Sequence, residues 1–111
     1  MKLQTIQTKD KLNDIYRDWT CHTWYSNYWK YKICPHKKNK LIAKIVFQHG
    51  DRGEDDSVDG VRECDLLEIV RDRLSYPKTT IERQYALQHV TEALMWLAQD
   101  REKNIESCYD Y

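Results

Sequence analysis

The sequence predicts an α+β protein: an amino-terminal antiparallel β-hairpin or small sheet followed by a carboxy-terminal α-helical hairpin. Three observations carry that prediction. Residues 24–33 and 41–48 are rich in aromatic and β-branched side chains, the hydrophobic spacing turns helical after residue 60, and Pro77 divides the helical part in two.

Taken in order, residues 10–20 place Leu12, Ile15, Tyr16 and Trp19 at helical intervals and predict a short amphipathic helix. WYSNYWKYKI (24–33) reads as a strand because large rings and branched side chains suit a pleated surface. PHKKNK (35–40) reads as a turn. LIAKIVFQ (41–48) then alternates, with Leu41, Ala43, Ile45 and Phe47 on one face, so the two strands are expected to pair as an antiparallel hairpin. GDRGEDDSVDG (50–60) has no periodicity and five acids, which marks a loop. Beyond it, Leu66, Leu67, Val70 and Leu74 mark one face of a first helix that stops near Tyr76, because Pro77 disfavours helical geometry in the residue before it. Thr79 and Glu82 have the form of a capping box opening a second helix. That helix runs without Gly or Pro for roughly 25 residues, nearly 40 Å at about 1.5 Å per residue. Its stripe of Val90, Leu94 and Leu97, with Ala86 and Ala93 alongside, is wider than one short helix covers, so a second copy of the chain is expected against it.

A chain of 111 residues is read as a single domain in three parts: a strand-rich part (1–50), a loop (51–60) and the helical hairpin (61–106). Hydrophobic residues at 41% and charged residues at 32% exclude a disordered tail, and no apolar run approaches the roughly 20 residues of a membrane span. MKLQTIQTKDKL lacks the apolar middle of a secretory signal, so a cytoplasmic location is expected and, with it, free thiols at Cys21, Cys34, Cys64 and Cys108. A zinc site built from Cys21, His22, Cys34 and His36 is conceivable, but their spacing does not match the usual ligand patterns. The net charge of zero conceals an asymmetry. Residues 1–50 hold ten Lys/Arg against three Asp/Glu, and residues 51–111 hold eight against fifteen. A basic half attracts phosphate-bearing ligands, and opposite halves also attract each other across an oligomer contact.

Three constellations bear on chemistry. Aromatics interleaved with Arg17, Lys30 and Lys32 suit either a stacking platform for single-stranded nucleic acid, centred on Trp24, Tyr28, Lys30 and Lys32, or simply a core and subunit contact made of large rings. Glu54, Asp55 and Asp56 with Asp51 suit a magnesium site of a phosphodiesterase, or a solvated acidic loop. In FQHGDRGE (47–54), Gly50 and Gly53 flank Arg52. Glycine lets main-chain amides approach a ligand closely, and the guanidinium fork matches pairs of phosphate oxygens. The alternative is a surface turn in which Arg52 pairs with Glu54 or Asp55.

Together FQHGDRGE, GVRECDLLEIVRDRL (60–74) and ALQHVTEALMWL (86–97) are similar to a family of small phage anti-defence sponges. Its members sequester cyclic nucleotide signals of the bacterial Thoeris and CBASS systems. The likeness spans about residues 41–104 and is nearest to the anti-Thoeris branch. The resemblance implies a non-enzymatic protein without cofactor or catalytic residues, assembled as a homo-oligomer, a hexamer of dimers. It implies that Arg52, with Gly50 and Gly53, holds phosphate, and that Tyr76 stacks on an adenine base. It places Arg83 where the family has a ligand-contacting asparagine, and Asp100 and Asn104 where it has basic residues, with Arg101 and Lys103 one place removed. The implied ligands are cyclic ADP-ribose isomers, with cyclic di- or trinucleotides at a second site. Neither a membrane nor a long nucleic acid is an expected partner.

Overall fold

The computed structural model describes residues 1–6, 11–23, 26–50, 57–76 and 80–103, and for residues 18–23 and 26–29 the course of the chain only. The order of elements is β1 (Asn13–Thr23), β2 (Ser26–Pro35), β3 (Ala43–Val46), α1 (Glu63–Leu74) and α2 (Ile81–Lys103). This is the expected α+β arrangement, with a three-stranded antiparallel sheet in the order β1-β2-β3 ahead of two helices. The chain divides into two compact units at Gly60/Val61, one holding the sheet and the other the helices.

The helix expected over residues 10–20 is instead β1. Its register runs from Asn13 opposite Pro35 to Thr23 opposite Ser26, with an irregularity between Cys21 and Thr23. The same residues that fit a helical period (Ile15, Tyr16, Trp19) are strand formers, and so short a segment cannot outweigh pairing along nearly its whole length. The expected hairpin of the second and third segments is present: Lys30, Tyr31, Lys32 and Ile33 lie opposite Val46, Ile45, Lys44 and Ala43. Directly opposed residues share a face, so Ile15, Ile33, Tyr31, Ala43 and Ile45 line one side of the sheet. The Tyr31 and Phe47 rings close that side edge to face, with centroids 5.5 Å apart.

At one end of the sheet a carboxylate is buried. Asp14, 1% exposed, lies opposite buried Cys34. Its Oδ1 meets His36 Nδ1 at 2.9 Å, Lys11 Nζ at 3.3 Å and Lys2 Nζ at 3.5 Å, and its Oδ2 accepts the Lys37 amide at 3.1 Å. Lys37 takes φ 59°, which turns its N–H inward. The N-terminal residues lie along β1, with Leu3 N–H donating to Ile15 O and Arg17 N–H to Met1 O. The His36 side chain, the Lys37 amide and Lys11 hold the Asp14 carboxyl far below the ordinary carboxylate range, against the opposing effect of burial.

In the helical unit, α1 is opened by Asp65, whose carboxylate accepts the Arg62 amide at 2.9 Å. It is closed by Ser75, whose N–H and Oγ both donate to Arg71 O. The start of α2 is capped by Thr80, whose Oγ1 accepts the Arg83 amide at 3.1 Å. The expected pair was Thr79 with Glu82; Thr79 lies outside the described residues, and Glu82 sits in the first turn. Thr80 places Arg83 three residues on, and a cation cannot accept a returning amide, so this is a simple cap and not a box. The described part of α2, 23 residues, is about 34 Å long, and residues 104–106 of the expected hairpin lie outside the described residues. Leu87, Val90, Leu94 and Leu97 are only half-buried. Neither helix contains a fully buried residue, while Ile69, Val70, Tyr85, Met95 and Trp96 are exposed. Cys34 and Cys64 are free thiols, and among the described residues no helix is long and apolar enough to cross a membrane.

Candidate functional site

The ends of the segment that carries Arg52 are joined by a neck of five residues, Gln48, His49, Gly50, Val58 and Gly60. Directly after β3, His49 and Val58 exchange both backbone hydrogen bonds, His49 N–H to Val58 O at 3.0 Å and Val58 N–H to His49 O at 2.8 Å. This bridge brings together the two ends of residues 50–57. Beneath it, the buried Gln48 side chain clamps both arms: Nε2 donates to Gly50 O and Oε1 accepts Gly60 N–H, each at 3.1 Å. One side-chain amide therefore bonds a carbonyl on the outgoing arm and an N–H on the return.

The two glycines of the neck have different reasons. Gly50 has φ 72°, a left-handed conformation that disfavours side chains, and it turns the chain away from β3 into the loop. Gly60 packs so closely on β3 that an added Cβ would stand 2.3 Å from Val46 O and 2.7 Å from Phe47 C. Arg52 and Gly53 lie outside the described residues, as do Asp51 and the acids Glu54, Asp55 and Asp56.

The remaining expected ligand residues lie in the helical unit. Tyr76 follows α1 and is 61% exposed, a ring available for stacking. The Arg83 guanidinium reaches back from the first turn of α2, with Nη2 donating to Arg73 O at 3.2 Å and to Tyr76 O at 3.4 Å. It sits at the negative end of α1, adding a donor to the Arg73 carbonyl that also accepts the Tyr76 N–H, and it ties Tyr76 to α2. Arg83 and Tyr76 are therefore brought together. Arg101 is not with them: eighteen residues further along the same helix, it lies about 27 Å away. There it borders an open groove of about 520 Å³ between the helices, lined by Cys64, Arg71, Leu94, Met95 and Leu97 among others. Arg71 in that groove pairs with Glu68 at 3.3 Å.

For the other constellations, Trp24 and the side chain of Tyr28 lie outside the description, and Lys30 and Lys32 are half-buried in β2. Of the four conceivable zinc ligands, Cys34 is buried opposite Asp14 and His36 is bound to that carboxylate, while the Cys21 and His22 side chains are not described. Among the described residues no group of three or more His, Cys, Asp or Glu converges.

Sequence reasoning missed Gln48, Gly60 and Asp14. Gln48 carried a faint signal, a polar side chain on the face opposite Phe47 at the point where the alternation ends. Gly60 and Asp14 carried none, since their partners lie far along the chain. No model of a known protein family matches the chain, and no curated protein matches it.

Proposed function

We propose that this chain is a non-catalytic sponge that sequesters cyclic nucleotide immune signals in the cytoplasm of a bacterial host, cyclic ADP-ribose isomers foremost. The observation that carries the reading is the neck. A bridge, a buried amide clamp and a left-handed glycine fix the base of a short loop whose only cation is Arg52. A rigid base lowers the ordering cost of gripping a small anion. In this reading Arg52, with the amides of Gly50 and Gly53, holds phosphate, Tyr76 stacks on the base, and Arg83 and Arg101 add positive charge.

The spacing on α2 adds a requirement. A ligand about 10 Å across cannot touch Arg83 and Arg101 of one chain, so a site using both is assembled from two copies. The exposed Ile69, Val70, Met95 and Trp96 suit such a homo-oligomer, here taken as a hexamer of dimers. To outcompete an immune effector, the affinity has to be nanomolar, about −12 kcal/mol.

Native mass spectrometry with a panel of cyclic nucleotides tests subunit number and binding together. The bound ligand is then released by heat and assayed. Intact recovery, lost in Arg52→Ala while the assembly persists, is the expected result. A cleaved product sensitive to chelation instead makes the acids Glu54, Asp55 and Asp56 the centre of a metal-dependent phosphodiesterase.

A further inference from the structure

The buried Asp14 cluster does more than hold the sheet end together. Three cationic or cation-forming nitrogens, from Lys2, Lys11 and His36, stand within 3.5 Å of one carboxylate oxygen. Such an oxygen accepts about two hydrogen bonds, and each ammonium carries three donors. Most of the donors gathered there therefore point elsewhere. The Lys2 side chain is 49% exposed and that of His36 38%, against 15% for Lys11 and 1% for Asp14, so the surplus opens outward from a closed base. With Nδ1 committed to Asp14, the His36 ring has Nε2 left for another partner. The same turn carries exposed Lys37, Lys38 and Lys40. Among the described residues of these segments Asp14 is the one negative charge against five lysines, which leaves the patch at +4 with His36 neutral.

Three separate segments supply these groups: the N-terminal residues on β1, the entry to β1, and the β2–β3 turn. Each is fixed by backbone bonds, Leu3 N–H to Ile15 O, His36 N–H to Leu12 O, and Lys38 N–H to Pro35 O. A cluster with this much order and this much excess charge has already met the cost of bringing like charges together. We propose that Lys2, Lys11 and His36, gathered on Asp14, form a phosphate-binding site distinct from the Arg52 loop. Its ligand is a phosphate group presented either by a small polyphosphate or by a nucleic-acid backbone. Asp14 itself repels phosphate, but it is covered, and the cations stand between it and solvent.

The test uses the full chain, inorganic pyrophosphate as the small probe and a short oligothymidylate as the backbone probe, at low salt. Saturable pyrophosphate binding is expected, with shifts of the His36 ring and Lys11 resonances. It weakens at least fivefold in Lys11→Met and in His36→Gln, and stays within twofold in Lys103→Met, a charge-matched control on α2. If Lys11→Met fails to fold, Lys2→Met takes its place. Oligothymidylate that displaces pyrophosphate assigns the site to a nucleic-acid backbone; failure to displace assigns it to small phosphates. Absence of saturable binding, or equal weakening in Lys103→Met, overturns the proposal and leaves a structural ion cluster only. The His36 and Lys11 resonances report this site and not the Arg52 loop, so its failure is distinguishable from failure of the sponge reading.

Discussion

Replacing Gly60 with alanine probes the neck directly. The new Cβ would stand 2.3 Å from Val46 O and 2.8 Å from Val46 C, where ordinary contacts begin near 3.4 Å. Relief requires a movement of about 1 Å between the returning arm and β3. The strand cannot supply it freely, because Val46 is paired with Lys30. If the arm moves instead, the 3.1 Å bond from Gly60 N–H to Gln48 Oε1 opens. Overpacking of this kind costs about 1–3 kcal/mol and a lost hydrogen bond about 0.5–1.5 kcal/mol. The expected destabilisation is their sum, roughly 1.5–4.5 kcal/mol. For a domain of this size that lowers Tm by at least about 6 °C. Urea denaturation followed by near- and far-ultraviolet circular dichroism measures it, with the two compact units fitted as separate transitions where the probes disagree. Gly50→Ala is the internal comparison. Among the described residues its Cβ would meet Ser57 atoms at 3.6 Å, an ordinary contact, so the cost from these residues reduces to the left-handed backbone, about 1–2 kcal/mol. A Gly60→Ala variant within about 0.5 kcal/mol of the parent, or less damaged than Gly50→Ala, refutes the account of the neck.

Acid titration of unfolding tests the buried carboxylate. In the unfolded chain Asp14 takes up its proton near the ordinary value of 3.8, whereas the folded chain resists until far lower pH. The unfolded state thus binds more protons in between, and the stability this group contributes, fully present above that range, is lost as the pH falls below about 4. Asp14→Asn is expected to be less stable at pH 7 and to flatten this part of the profile; an unchanged acid limb contradicts the assignment. Thr80→Ala removes the cap of α2 and is expected to cost about 1 kcal/mol, read as a lower unfolding midpoint and reduced amide protection at Arg83. Loss of ligand capture in Arg52→Ala, with the assembly intact, is the corresponding expectation for the loop.

The elements that the sequence determined unaided are those whose signals are local. The end of α1 was legible because Pro77 disfavours helical backbone at its neighbour, and α2 because the helical spacing of Val90, Leu94 and Leu97 persists over several turns. The pairing of β2 with β3 was legible from aromatic and β-branched content on one side of a short polar turn and alternation on the other. At Gly50 the position after a strand and before a polar loop already pointed to a special backbone. Residues 13–23 defeated local reading, since the placement of Ile15, Tyr16, Trp19 and Thr20 in that segment satisfies either period, and only a partner strand decides between them. The same holds for the chemistry. Gln48 acquires meaning when Gly50 and Gly60 arrive on its two sides, Gly60 when Val46 stands against it, and Asp14 when Lys2, Lys11 and His36 reach one oxygen. Tertiary structure decided these because burial converts a polar group's need for partners into a requirement on residues distant in sequence, and no spacing rule encodes a contact made across folded chain.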